Sequence, residues 1–448
     1  MSRTVIRNAN IVNEGTVTSG ALVIDGETID RIIPASDAVS LDEALKSASA
    51  VTDAGGAWLL PGIIDEHVHF REPGLTHKAD IASESRAAVA GGVTTFFDMP
   101  NCKPATVSAE LLEQKFRLAE EKSLANYSFY IGATADNLDL IEKADRTDAC
   151  GVKLFMGSST GNMLLSDPRQ LERLFKASPL PVAAHCEETP YIDRNMALWQ
   201  EHLGTEPPVE YHSVIRSPEA CYVSSAKAVE MADKAGARLH VLHISTAREL
   251  TLFSSGPVSG KRITAEACPA HLMFTEKDYA AYGTRIKCNP SVKGQTDLMA
   301  LRAALRGRRI DAVGTDHAPH LLTEKQGGCI SAASGMPILP YSLPVMMQLA
   351  AEGFISITDI AELMCHNPAR IYSVKGRGFL RPGYKADLVL VSSESCTASA
   401  RFNRCGWNPF QDTTLQGTVL GTWVNGNRVY SDGHIIDTWR GQKTEFCR

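Results

Sequence analysis

GIIDEHVHF, residues 62–70, starts as an apolar strand and ends in charge: Ile63 and Ile64 are followed by Asp65, Glu66, His67 and His69. The same form recurs seven times. TTFFDMPN, NYSFYIGA, GVKLFMG, PVAAHCE, RLHVLHIS, ITAEACP and DAVGTDHAP begin near residues 94, 126, 151, 181, 238, 263 and 311. Helical stretches separate them. Ile81, Ser85, Ala88 and Val89 form a narrow apolar stripe that stops at Gly91-Gly92. Ser217-Pro218-Glu219 opens a later helix, with Ser as N-cap and Pro at the first helical position. Alternating strands and helices predict a parallel sheet, and eight units predict its closure into a (β/α)₈ barrel.

Outward from this repeat the rhythm changes. Residues 4–33 alternate apolar and polar, with Asp25-Gly26 between two strand-like runs, a hairpin signal. KADLVLVS (385–392) and residues 418–433, which hold Asn425-Gly426, repeat that pattern. The ends thus predict one small β domain built from residues 1–55 and 381–448, flanking a barrel at 56–380. TRIKCNPS (284–291) fits either an extra strand or a loop.

Composition narrows the function classes. The chain has 448 residues, 44% of them hydrophobic, enough for a large core. A net charge of −6 gives no reason to expect nucleic acid or an anionic membrane as partner, although a local arginine can still bind an anionic small molecule. The N-terminus has no signal-peptide form, and no run reaches the ~20 apolar residues of a membrane span. Eleven cysteines lie scattered without a disulfide framework. Together these favour a reduced, cytoplasmic protein. Homo-oligomers are compatible with everything above.

The polar residues gather at the C-terminal ends of the strands, where barrel enzymes keep their active sites. His67 and His69, two apart on a strand, share a face with Asp65 and can reach one metal. His185 ends strand five; Cys186, of opposite parity, reads as packing. His243 ends strand six; His240, three residues earlier, should face the other side and reads as structural. Asp316, followed by His317, ends strand eight and reads as ligand and base, the alternative being a cap on the next helix. His320 lies further out, placed for substrate. Lys153, between Val152 and Leu154, is costly as a bare ammonium. Two readings stay open for it: an ion pair with a buried carboxylate, or a carbamate formed with CO₂ that bridges two metals. Such a donor set suits Zn²⁺ best, with Mn²⁺ and Co²⁺ also compatible.

These motifs resemble the amidohydrolase superfamily, and within it the dihydroorotases. The landmarks run in order through nearly the whole chain: LLPGIIDEHVHFREPG, AGGVTTFFDMPN, GVKLFMG, AAHCE, LHIS, GTDHAPH and HNPARIYSVKGRGFLRPGYKADLVLV. The resemblance implies two Zn²⁺ ions. His67, His69 and Asp316 would hold one, His185 and His243 the other, with carboxylated Lys153 bridging. It also implies that Arg71, Asn101, Asn289 and His320 bind substrate, with His69 beside them; Gly335 and Ser334, in the loop that follows, are further candidates outside the resemblance.

Arg71 and Asn101 point to the dihydroorotases, because the similar allantoinases and hydantoinases typically lack this arginine. Arg71 shares strand parity with His67 and His69, and its guanidinium can grip a carboxylate by two hydrogen bonds. Dihydroorotate carries a ring carboxylate; allantoin and hydantoin rings carry none. The alternative for Arg71 is a salt bridge to Glu72 or a bond to a loop carbonyl. The implied reaction is reversible cyclisation of N-carbamoyl-L-aspartate to (S)-dihydroorotate in pyrimidine biosynthesis. In the opening direction a hydroxide bridging the metals attacks the ring amide, and Asp316 carries the proton to the departing nitrogen. The rivals are an allantoinase or a dihydropyrimidinase, and, in another class, an inactive scaffold relative; against the last, all six ligand positions are filled. Some dihydroorotases have Asp in place of Lys153. The loop LLTEKQGGCISAASGMPILP after His320 departs from the commoner family form, and its composition predicts a flexible lid.

Overall fold

The computed structural model describes residues 3–147, 149–157 and 163–448. Eight strands lie parallel, in chain order, in one sheet: β1 (Ile63–Val68), β2 (Val93–Asp98), β3 (Asn126–Gly132), β4 (Gly151–Phe155), β5 (Val182–His185), β6 (Leu239–Val241), β7 (Ile263–Ala267) and β8 (Ala312–Val313). The two edges meet at the top. Val68 bridges to His317, the His69 N–H donates to the His317 carbonyl at 2.8 Å, and the Thr315 N–H donates to Asp65 Oδ1 at 3.0 Å. The sheet is therefore a barrel, as the eightfold repeat predicts. Its strands are apolar on both sides because both sides are covered. Phe96, Phe129, Val152 and Val182 pack outward with helix residues such as Ala88, Phe116 and Leu171. Ile64, Phe97, Tyr130, Ala183 and Ala312 pack with one another and with Tyr372 inside the barrel.

The helix Ile81–Ala90 begins with Asp80 and Ser83 capping one another and ends at Gly91. Seven of its ten residues are buried, more than a narrow stripe would bury. The reason is its position against the terminal sheet, where Thr422 Oγ1 donates to the Val89 carbonyl at 2.7 Å. Ser217 accepts from the Ala220 N–H and opens the helix Pro218–Ala235, which ends on left-handed Gly236.

Both chain ends join one antiparallel-rich sheet. Its strands run His434–Ile435, Asn427–Ser431, Thr414–Val424, Leu388–Thr397, Trp58–Pro61, Arg3–Asn13, Thr16–Asp25 and Thr28–Pro34, with Ala50–Asp53 beside Arg3–Asn13. Both expected hairpin turns are present, closed by Asp25 opposite Thr28 and Val424 opposite Asn427. Trp58–Pro61, immediately before β1, pairs with both halves and stitches them together. A buried Arg377–Asp387 ion pair anchors this sheet to β3. Asp387 also accepts from Asn126 at 3.2 Å and from the Asn425 N–H at 2.8 Å.

One open reading resolves here, TRIKCNPS as a loop rather than a strand, and two sequence expectations change. TRIKCNPS is a 3₁₀ turn, Gly283–Ile286, running into a loop. His240 does not face outward: β6 stops at Val241 and His243 has φ 40°, so the parity count from His243 fails. His240 instead lies inside the barrel, its Nδ1 2.8 Å from Thr264 Oγ1. The segment after His320 is tied down. The buried Lys325 ammonium donates to the carbonyls of Lys287, Ala333 and Gly335, and Glu206 accepts from the N–H groups of Gly328, Ile330 and Ser331. Its small residues permit close backbone packing around two charged side chains. Among the described residues, no helix is long and apolar enough to cross a membrane, and the 11 cysteines are all free thiols.

Candidate active site

At the C-terminal ends of the strands lies a cavity of about 600 Å³. The six expected metal ligands, His67, His69, Lys153, His185, His243 and Asp316, all line it. So do the expected substrate contacts Arg71, Asn101, Asn289, His320, Ser334 and Gly335. Three of these side chains enter by left-handed backbone: φ is 68° at Arg71, 40° at His243 and 50° at Asp316. For residues with a Cβ that conformation costs roughly 1–2 kcal/mol each. Arg71 reaches the mouth through such a turn, beyond the end of β1 at Val68, and not by strand parity.

The hydrogen bonds reveal where lone pairs point. His67 Nδ1 donates to Glu266 Oε1 at 2.8 Å, and His69 Nδ1 faces Asn101 Oδ1 at 2.8 Å. In neutral imidazoles both Nε2 atoms then carry lone pairs. Those nitrogens face the same oxygen, Asp316 Oδ1, at 3.3 and 3.0 Å. Burial pushes His69 down to about 3, against the opposing pull of Asp316. Two imidazole nitrogens and a carboxylate oxygen converging on one point are a fit for a cation. The second pair is similar. His185 Nε2 donates to Glu187 at 3.1 Å, leaving Nδ1 to face His243 Nε2 at 3.0 Å, while the buried Nδ1 of His243 has no partner. Burial lowers the pKa of both rings.

Two further groups complete this layer. Burial alone would raise the pKa of Asp316, but His67, His69 and His243 outweigh it and hold the carboxyl well below its ordinary value. Burial pushes the Lys153 amine down to about 8, against the opposing pull of Asp316 and Glu266. Lys153 is 1% exposed and sits over the Phe155 ring. Among the described residues it makes no carboxylate ion pair, so the ion-pair reading of this lysine finds no partner.

The outer wall is cationic. Arg71 is 8% exposed; Nε donates to the Pro319 carbonyl and Nη2 lies against His320 Nε2, both at 3.1 Å. Glu72 is engaged elsewhere, accepting from Lys122 and the Ile81 N–H. Arg71 thus binds a loop carbonyl and, among the described residues, no carboxylate. Lys78 and Lys103 line the same cavity. Gly335 contributes backbone only: its φ is 139°, and a Cβ there would lie 2.6 Å from the Ala318 carbonyl oxygen.

Three supporting residues were not foreseen. Glu266 orients His67; its position in ITAEA, alternating with Ala265 and Ala267, gives the same inward-charge signal that singled out Lys153. Gly314 makes room for it, since a Cβ there would lie 2.6 Å from Glu266 Oε2. His212 Nε2 lies 3.1 Å from Asn289 Oδ1, a contact across 77 residues that no local pattern announces.

Residues 58–429 match the amidohydrolase family. The chain is 31% identical over 444 residues to a dihydroorotase of Halobacterium salinarum, covering 98% of this chain and 99% of that one. It is 32% identical over 411 residues to an allantoinase of Deinococcus radiodurans, covering 90% and 91%. Among solved structures, the L-hydantoinase (dihydropyrimidinase) from Arthrobacter aurescens superposes with a TM-score of 0.90 at 25% identity, over 99% of this chain and all of that one. By sequence and by fold, then, the chain belongs to the amidohydrolase family.

Proposed function

We propose that the protein is a zinc-dependent dihydroorotase, interconverting N-carbamoyl-L-aspartate and (S)-dihydroorotate plus water, a step of pyrimidine synthesis. The observation that carries this reading is Arg71, a buried guanidinium at the mouth of the ligand cluster that pairs with no carboxylate among the described residues. A buried cation without a counter-charge is costly, and a substrate carboxylate supplies the missing partner. Lys78 and Lys103 in the same wall add to the preference for an anion.

His67, His69 and Asp316 would hold one Zn²⁺ and His185 and His243 the other, with Lys153, as its carbamate, shared between them. Among the described residues no carboxylate forms an ion pair with the buried Lys153 amine, which supports that modification. Metal ions bound there would lower the pKa of water and polarise a carbonyl. Asp316 uses Oδ1 toward the two histidines, so Oδ2 is the oxygen available to a proton. In ring opening it takes the proton of the attacking water and passes it to the leaving nitrogen; in closure it returns it. Asn101 accepts from His69 through Oδ1, which leaves its NH₂ for the substrate. Asn289, held by His212, and His320 complete the walls.

Ring opening of dihydroorotate, allantoin and hydantoin by one zinc-loaded preparation tests this reading. Preference for dihydroorotate is the expected result; preference for an uncharged ring selects a different cyclic amidase.

A further inference from the structure

His320 carries a contradiction that points to a second anion-binding group. Arg71 Nη2 lies 3.1 Å from its Nε2, and Lys78 Nζ lies 3.0 Å from its Nδ1. Both neighbours are hydrogen-bond donors. A neutral imidazole has one acceptor nitrogen and one N–H; an imidazolium has none to accept with. One of the two contacts is therefore donor against donor. Arg71 has a second, fixed acceptor in the Pro319 carbonyl. Among the described residues Lys78 has one other partner, Glu324, 2.8 Å away and itself 29% exposed. Lys78 is also the flexible member, a point charge on a four-carbon stem. Its side chain is 12% exposed, and Lys78 lines the cavity.

We propose that Lys78 is a specificity-determining residue, the second cation of the substrate-carboxylate subsite. In the absence of substrate its ammonium rests against His320 and Glu324. An anion beside Arg71 draws it off Nδ1, which removes the donor clash and lets His320 keep its contact with Arg71. The substrate class is then a ring bearing a carboxylate, gripped from two sides by guanidinium and ammonium. This inference rests on the dihydroorotase reading and names how that substrate is chosen.

The test is steady-state ring opening and closure by K78M, K78Q and K78R, with bound metal measured in each. K78M and K78Q should raise KM for dihydroorotate by about 10–100-fold, with a smaller fall in kcat, because the group meets the carboxylate and not the reacting amide. K78R should recover most of that loss, and metal content should stay at the parent value. An unchanged KM in K78M overturns the proposal. So does a matched fall in kcat and bound metal without rescue by arginine, which is the mark of a structural role. A parent enzyme inactive on dihydroorotate refutes the function and this inference together; an active parent with an indifferent K78M refutes this inference alone.

Discussion

Replacing Arg71 probes the substrate assignment at its strongest point. The side chain is 8% exposed and holds one carbonyl and one imidazole, with no carboxylate among the described residues. In Arg71→Met the substrate carboxylate would enter a desolvated wall without its guanidinium. Losing one partner of such a pair costs about 2–5 kcal/mol. At about 1.4 kcal/mol per decade, kcat/KM for dihydroorotate should fall by tens to thousands of fold. Arg71→Lys keeps the charge but not the planar fork, and should fall between parent and Met. Arg71 bonds none of the proposed metal ligands, so bound metal should not change. The assay is initial-rate ring opening followed by ultraviolet absorbance, with metal analysis on the same samples. An Arg71→Met enzyme that opens dihydroorotate like the parent would refute the reasoning, and so would a loss of activity that merely tracks a loss of metal.

Other outcomes follow from the supporting structure. Lys153→Ala should lose activity and retain less metal, and a short carboxylate added in solution should restore part of both; full metal content in that variant would count against the bridging role. Glu266→Gln weakens the acceptor that orients His67, and titration should show metal affinity reduced by about 10–100-fold. Asp387→Ala strips Arg377 of its buried partner and should lower unfolding stability by about 3–5 kcal/mol with kcat retained, read from denaturant midpoints. Ring closure consumes one proton, so the equilibrium should move about tenfold toward dihydroorotate per unit fall in pH above the carboxyl pKa values, worth about 1.4 kcal/mol. A pH-independent product ratio would exclude this reaction.

The barrel was legible because eight apolar strands with polar exits are a local, repeating pattern, and so were the histidines, Lys153 and Asp316 at their ends; Asn101 and Asn289 came only from the resemblance, because no local pattern marks them. Parity arguments worked while the strand lasted. They failed at His240 and for the path of Arg71, because β6 and β1 end at Val241 and Val68 and the chain then turns left-handed. The loop after His320 misled for a related reason. Glycine and serine content signals freedom only when nothing holds the backbone, and Lys325 and Glu206 hold it from positions composition does not weigh. Glu266 could have been found by the inward-charge argument applied to Lys153. His212 could not, since its partner Asn289 is near only after folding.

The most direct test of the account is a comparison of kcat/KM for ring opening of dihydroorotate, allantoin, hydantoin and dihydrouracil by the zinc-loaded enzyme, repeated with Arg71→Met. The account predicts that dihydroorotate leads in the parent and that the substitution removes that lead while uncharged rings change little. An uncharged ring leading in the parent, or a lead for dihydroorotate that survives Arg71→Met, would contradict it.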